Sequence, residues 1–547
     1  MTAIEYRCDP GGWLVRRDAA MAARALATGD WPNKTVWTFA VERAAQHPGR
    51  VQMIDNDLAL TCGQLVDRAQ RLAGYFLALG LRCGDVISFQ LPNWWEAAVI
   101  TLAAAATGVV VNPIVPINRD AELHHMIGDA KPKMIFIPEY FRGFSHADMM
   151  RRLVQDFPDL RVIVVRGAAA DFESFDAVLD RPPLPGPDTV VDPDAVKLIM
   201  YTSGTTGRAK AVLHSHNTIH ADSVRMTRAM NLTPRHISFC PSPVTHISGF
   251  LWALNMPWYG DIPVVMIDIW DPAKAFDAMR RHRCTLAVGA TPFLQGLVDI
   301  ASAGTLLPDL EHYICGGAAV PPSLIFTAAD VFPNCIPWRT FGATETATLT
   351  CGPQSREALR LGAETDGRLA DAEVKIVDVG TGLAVAAGAE GEILVRCSSM
   401  ALGYAQIEDN DDAYDEEGFF RMGDLGRIVE DDHFICTGRK KDLIIRAGEN
   451  ISAKEIEDVL IRDPAIQDAA VVARPDPRTG EAICAFIVTA PGCHVDLALL
   501  TALIATAGLA RQKTPEHVIL VPDLPRTPAG KVRKDQLRLA AASSAPS

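Results

Sequence analysis

Four Ser/Thr hydroxyls, two glycines and two cations fall within the ten residues Tyr201-Thr202-Ser203-Gly204-Thr205-Thr206-Gly207-Arg208-Ala209-Lys210. Glycines let a backbone approach a ligand closely, and successive N–H groups in such a loop form a nest for phosphate oxygens. The chemistry this stretch could do is therefore the binding of a polyphosphate. It is not a P-loop, because Lys210 lacks the preceding glycine and the following Ser/Thr that would reach a magnesium ion. Residues 211–214 also read as a strand, where a P-loop continues into a helix. By composition alone, a solvated surface loop of the same residues is equally open. A second concentration of cations lies at residues 509–538, with seven Lys/Arg against three Asp/Glu. It suits a phosphorylated ligand, with a solvated basic face as the alternative. Residues 408–417 are acidic, but Ala413 and a missing glycine break an EF-hand loop, so a mobile solvated loop is expected.

Such residues need elements to position them. Short β-branched runs at 86–91, 134–137, 162–165, 196–201 and 264–267 read as buried strands. Amphipathic segments such as 61–79 and 272–282 alternate with them. That alternation predicts an α/β fold with largely parallel sheets. The phosphate-type loop then sits at the end of the strand 196–201. Residues 97–118 carry no charge and could imitate a membrane span. Gly108, Asn112, Pro113 and Pro116 interrupt them, so an Ala-rich buried helix running into a buried strand is the expectation. Trp94 and Trp95 are expected to pack. From residue 374 the texture changes to short strands at 374–378, 391–396 and 427–435, a smaller β unit. Near Gly438-Arg439-Lys440-Lys441-Asp442 a compact α+β pattern begins. Ser452 and Glu455 have capping-box spacing, and strands at 469–473 and 482–489 precede a helix at 497–508.

The whole chain sets limits on what this scaffold serves. Its 547 residues predict more than one domain. With 48% hydrophobic and 22% charged residues it is a globular chain. A formal charge of −14 argues against a nucleic-acid polymer as partner, while local donors can still bind a nucleotide. The 12 cysteines include no Cys-x-x-Cys pair, and residues 1–14 lack the apolar run of a signal peptide. A cytoplasmic location and no stable membrane insertion are expected.

The order Thr-Ser-Gly-Thr-Thr-Gly-x-x-Lys resembles the adenylate-forming superfamily of acyl-CoA synthetases, adenylation domains and luciferases. Further segments match in order: His216; the histidine motif Pro241-Ser-Pro-Val-Thr-His246-Ile-Ser-Gly249; Gly316-Gly317-Ala318; Phe341-Gly342-Ala343-Thr344-Glu345; Gly423-Asp424; Gly438-Arg439-Lys440-Lys441-Asp442; and Pro528-Ala-Gly530-Lys531. The resemblance implies a large domain, residues 1–439, of two parallel-type α/β subdomains plus a small β unit. A small mobile α+β lid, residues 440–547, follows it.

The same resemblance implies the site. Thr202, Ser203, Gly204, Thr205, Thr206, Gly207 and Lys210 would hold the ATP phosphates. Gly316, Gly317, Ala318, Phe341 and Gly342 would hold its adenine, and Asp424 and Arg439 complete the ATP set, with Asp424 on the ribose. Glu345 would bind Mg²⁺ as cofactor, Thr344 the α-phosphate, and Lys531 the attacking carboxylate and the pentavalent phosphate. His246, Phe250 and Gly316 would line the acyl pocket, with His246 also in the catalytic set. Lys441 would be the hinge, and Gly448 would let the CoA pantetheine pass. Ala447-Gly448 stands where many relatives have Gly-Gly, and Phe341 replaces a common Tyr while keeping the ring.

The function implied is an ATP-dependent acid–CoA ligase for a nonpolar acid, medium-chain, alicyclic or aryl. Its partners would be that acid, ATP and CoA, with a homodimer open. The alternatives are a stand-alone enzyme loading a carrier-protein pantetheine, and an inactive nucleotide-binding regulator. Retention of Lys210, Thr344, Glu345, Asp424 and Lys531 together argues against the last.

Overall fold

The computed structural model describes residues 4–181, 190–202, 209–301, 306–318, 320–446, 449–527 and 530–543. Contacts group the chain into two units. One comprises 1–316, 320–373 and 396–419, and the other 317–319, 374–395 and 420–547. The 439/440 boundary expected from the sequence falls inside the second unit. That boundary was expected as a pivot for motion, on which contact grouping has no bearing.

The first unit holds two seven-stranded sheets. One runs Glu173–Ser174, Arg161–Val164, Met134–Ile137, Val86–Phe89, Val110–Pro113, Val196–Thr202, Lys210–Ser215. Every pair is parallel except the last, an antiparallel hairpin. The other runs Ile336–Thr340, His312–Gly316, Leu286–Gly289, Ser238–Phe239, Val264–Met266, Val51–Asp55, Leu58–Thr61, again parallel up to a closing antiparallel pair. Parallel strands are covered on both faces, which is why these segments read as continuous apolar runs. The Ala-rich stretch is the helix Trp95–Thr107, buried along nearly its whole length, leading into Val110–Pro113. It touches strands of both sheets, and alanine is the residue that lets a helix approach so closely. Gly108 caps it in the left-handed region at φ 74°, donating to the Ala104 carbonyl. Among the described residues no helix is long and apolar enough to cross a membrane. Trp94 packs under the Arg166 guanidinium at 4.2 Å, and Trp95 meets Phe175 edge-on.

Most of a four-stranded sheet, Ala372–Val377, Gly391–Cys397, Phe420–Ile428 and Phe434–Arg439 in that order, lies in the second unit, its last three strands antiparallel. The expected single strand at 427–435 is instead a hairpin. A 3-10 turn at Glu430–Asp432, with Asp432 at φ 57°, breaks it where three acidic residues meet. The second sheet of this unit has five strands: Glu449–Ser452, Leu443–Arg446, Gly480–Thr489, Ile466–Asp476 and His517–Leu520. Its central strands alternate by face. Val471, Ile483, Ala485 and Ile487 meet the helices Ala453–Leu460 and Leu497–Thr506. Val472, Cys484 and Phe486 meet Leu537 and Ala541 of the last helix, Lys534–Ser543. Only half of the expected capping box forms. Ser452 Oγ accepts from Glu455 N at 3.3 Å, but the Glu455 carboxylate turns to Lys513 Nζ at 2.5 Å, because an ammonium is the stronger partner.

Candidate active site

Strand Val196–Thr202 pairs with Lys210–Ser215, with Thr202 opposite Lys210, so the phosphate-type loop is the connection of a hairpin. Ser203, Gly204, Thr205, Thr206 and Gly207 lie outside the described residues, as does Gly448. Lys210 Nζ stands 3.5 Å from Asp409 Oδ1 and 4.9 Å from the centre of the Tyr404 ring. The acidic segment 408–417 is largely solvated, as its composition predicts, with Glu408, Asp411, Asp412, Glu416 and Glu417 exposed, but it is tied down near its start. Asp409 meets the loop lysine, and Asn410 is buried, accepting from Tyr404 N at 2.9 Å.

Thr344 and Glu345 occupy the tip of a tight turn between Gly342–Ala343 and Ala347–Thr348. Thr346 N closes it on the Ala343 carbonyl at 3.3 Å. Gly342 is required here, since a Cβ would stand 2.0 Å from the Ala347 oxygen. Both Thr344 and Glu345 are anchored. The Thr344 carbonyl accepts from His214 Nε2 at 2.7 Å. Burial lowers the His214 pKa to about 4, so the ring is neutral; Nε2 carries the proton and Nδ1 faces Thr218 Oγ1 at 3.0 Å. The Glu345 carbonyl accepts from Ala401 N at 2.7 Å, and its carboxylate from the Tyr404 hydroxyl at 2.7 Å.

A buried ion pair braces the turn from behind. Asp222 Oδ1 lies 3.0 Å from an Arg225 nitrogen and accepts from Thr348 N at 2.9 Å. Arg225 donates to the Thr348 carbonyl and to Ser399 Oγ, which itself donates to the Thr346 carbonyl at 2.7 Å. Burial raises the Asp222 pKa, with Arg225 opposing it.

Magnesium is the ion that a nucleotide site of this kind implies. Among the described residues no group of three or more His, Cys, Asp or Glu side chains could hold a metal. A nucleotide-bound Mg²⁺ needs only one or two carboxylates, the rest of its shell being phosphate and water. The single anchored carboxylate of Glu345 fits that requirement.

His246 caps the one-turn helix Ile247–Gly249 through its own ring, with Nδ1 3.1 Å from Ser248 Oγ. Gly249 is demanded by the Pro243 carbonyl, 2.0 Å from where a Cβ would be. Phe250 begins the π-helix Phe250–Asn255 and is fully buried, with Lys197 Nζ 5.3 Å from its ring centre. Gly316 ends its strand beside Thr340, whose Cγ2 would be 2.5 Å from a Cβ. Phe341 donates its backbone N–H to Thr350 Oγ1 at 2.9 Å. His216 is buried, accepting from Val36 N at 3.3 Å.

In the second unit, Gly317 sits at φ 84° and is exposed, followed by half-buried Ala318. Asp424 lies within the strand Phe420–Ile428 directly across from Arg439, with Arg439 Nε 2.5 Å from its Oδ1. The preceding Gly423 has φ 66°, which marks a kink inside the strand. Lys441 belongs to the 3-10 turn Lys440–Asp442, and burial lowers its pKa. Lys531 is exposed. It closes a short loop in which Thr527 N donates to its carbonyl at 2.7 Å and its own N–H to Thr527 Oγ1 at 3.1 Å.

The structure therefore brings Lys210, Thr344 and Glu345 into one braced assembly, with Asp424 and Arg439 paired in the other unit. Sequence reasoning missed Tyr404, Asp409, His214, Asp222 and Arg225. An Asp and an Arg three residues apart were the available signal for Asp222 and Arg225, which lie in the helix His216–Ala229, buried from His216 to Met226. Tyr404 and Asp409 gave none.

A family model described as AMP-binding enzyme matches residues 40–405, and one described as AMP-binding enzyme C-terminal domain matches 455–531. A medium-chain fatty-acid–CoA ligase of Escherichia coli K12 is 33% identical over 519 residues, 93% of this chain and 91% of that protein. A salicyl-AMP ligase / salicyl-S-ArCP synthetase of Mycobacterium tuberculosis H37Rv is 30% identical, covering 96% of this chain and 94% of its own. Among solved structures, ATP-bound MatB from Rhodopseudomonas palustris superposes with a TM-score of 0.82 at 25% identity, over 93% of this chain and 99% of that one.

Proposed function

The chain belongs to the AMP-binding enzyme family, and on that premise we propose that it is an ATP-dependent acid–CoA ligase for a nonpolar carboxylate, medium-chain, alicyclic or aryl. As a member it is an AMP-forming acid–thiol ligase; the identity of the acid and of the thiol is the proposed part. The observation that carries the site assignment is the turn holding Thr344 and Glu345, fixed by His214, Tyr404 and Ala401 beside Lys210.

In the first step the acid's oxygen attacks the α-phosphorus of ATP, and the bond to pyrophosphate breaks. Preorganised donors are the main source of rate in such a step. Lys210 and the hydroxyls of the 202–206 loop would take the phosphate oxygens, and Thr344 the α-phosphate. Glu345 would hold Mg²⁺, whose contribution is neutralisation of phosphate charge. Lys531 would align the carboxylate and offset charge on the pentavalent phosphate. Asp424 would accept from the ribose hydroxyls, with Arg439 orienting it, and Phe341 would stack on the adenine. In the second step the CoA thiol attacks the acyl carbon, AMP leaves, and the thiol proton passes to solvent. Lys441 as pivot and Gly448 as the passage for pantetheine belong to this proposal.

The nonpolar acid is supported by the buried apolar run Phe250, Leu251 and Trp252 after His246. All twelve cysteines are unpaired, which supports a reducing cytosol. The salicyl-S-ArCP synthetase relative favours one second reading, transfer to a carrier protein. The test is AMP release and thioester formation from octanoate, cyclohexanecarboxylate, benzoate, malonate and acetate with ATP, Mg²⁺ and free CoA. Thioester from one of the first three is expected. Pyrophosphate exchange with an acid but no CoA thioester would establish the carrier-protein reading instead, and preferred use of malonate or acetate would overturn the nonpolar assignment.

A further inference from the structure

Lys441 stands between two sets of ion pairs. On its N-terminal side, Arg439 Nε lies 2.5 Å from Asp424 Oδ1 and Lys440 Nζ 2.9 Å from Glu392 Oε2. Both carboxylates belong to the four-stranded sheet, so residues 439 and 440 are tied to it. On its C-terminal side, Arg538 of the last helix grips the Asp442 carboxylate and donates to the Lys441 carbonyl at 3.2 Å. Lys534, one turn earlier, reaches Asp442 at 3.9 Å and Glu457 at 2.7 Å. Glu457 also accepts from Val471 N at 2.6 Å, which fastens that lysine to the five-stranded sheet. Leu537 and Ala541 pack the same helix against Val472 and Phe486.

The consequence is geometric. The Lys441 carbonyl and Asp442 are attached to the last helix and its sheet, whereas Arg439 and Lys440 are attached to the other sheet. The backbone torsions left between the two sets are those of Lys440 and Lys441. We propose that Arg538 is a positioning residue for the two-step reaction. Its guanidinium seats the C-terminal side of the hinge, so that a swing at Lys441 carries the five-stranded sheet and its helices as one body. This rests on the reading of Lys441 as pivot. Both contacts are made by Nη2, and an arginine suits the task because its rigid, always-charged guanidinium pre-sets the direction of those N–H groups, which a lysine ammonium on a flexible stem does less well.

The full-length protein with Arg538→Gln and Arg538→Lys tests this by two readouts. Turnover with ATP, Mg²⁺, CoA and octanoate, cyclohexanecarboxylate or benzoate gives kcat and the KM for ATP. Hydrogen exchange gives protection of the amides at 440–446. For Arg538→Gln a fall in kcat of about fivefold is expected, the scale of one half-buried ion pair, with the KM for ATP within about twofold. Exchange should rise at 440–446 alone, and Arg538→Lys should recover part of both effects. Unchanged exchange at 440–446 would overturn the proposal. So would a rise spread over the whole second unit, which would make Arg538 a stabiliser of the fold and nothing more. If the wild-type protein turns over none of these acids, the ligase reading fails separately, and the exchange comparison still decides the role of Arg538.

Discussion

Glu345 depends on a neighbour that no motif contains. Its carboxylate is held by the Tyr404 hydroxyl at 2.7 Å. Burial, and then the adjacent Glu345 charge, push the Tyr404 phenol well above its ordinary pKa, so it stays a donor wherever the protein is folded. Tyr404→Phe should therefore lower kcat/KM for MgATP by about tenfold, the worth of one hydrogen bond to a charged group. The melting temperature should change little. Steady-state kinetics at several Mg²⁺ concentrations checks this, and a kcat/KM within twofold of wild type would remove Tyr404 from the site. At this scale the sequence was legible where a residue sits in a short ordered motif, as Thr344 and Glu345 do. It was silent about Tyr404 and Asp409, because the Gly403–Asn410 segment reaches Lys210 only through the tertiary fold. The acidic composition of 408–417 pointed to solvent, which holds for Glu408, Asp411, Asp412, Glu416 and Glu417, but it gave no sign that Asp409 turns inward to Lys210.

Elements explain what the motifs cannot. Strand Val196–Thr202, helix His216–Ala229 and the π-helix Phe250–Asn255 share a core that contains Lys197, His214, His216 and His220, all buried. The Lys197 amine has no hydrogen-bond partner among the described residues, and burial lowers its pKa to about 7. The sign follows from the unfolded chain, where the amine has its ordinary pKa near 10.5 and binds more protons than the folded state between pH 7 and 10.5. Stability contributed at this residue thus rises with pH across that window. Lys197→Met should stabilise the protein by about 1–3 kcal/mol at pH 7, the cost of an unpaired buried polar group. The advantage should shrink as pH approaches 10. Thermal melts of both proteins at pH 7 and pH 10 check it; an advantage that is absent, or that grows with pH, would contradict it. Elements were the part most readable from sequence. The parallel strands, the Ala-rich helix and the helices Ala453–Leu460 and Leu497–Thr506 lie where apolar periodicity put them, whereas the last helix, Lys534–Ser543, was not read from the sequence. The 427–435 hairpin escaped because its turn is made of Glu and Asp with no Gly or Pro to mark it. The capping box was half right because Lys513, 58 residues away, competes for Glu455.

Over the whole molecule, the charge of −14 coexists with a site for polyanions. Charge is general over the chain, whereas in the proposed function phosphate would be met by a few local donors such as Lys210 and Lys531. The proposed mechanism has one chain carry out two half-reactions with different residues, Lys531 serving the first. The direct measurement compares wild-type and Lys531→Ala protein in the two halves separately, using whichever acid of the panel is turned over. Pyrophosphate release from acid and ATP reads the first, and thioester formation from supplied acyl-adenylate and CoA reads the second. The first should fall by about 10²–10³, as on loss of an oxyanion donor, and the second should stay within a few-fold of wild type. Equal loss in both halves would contradict the claim.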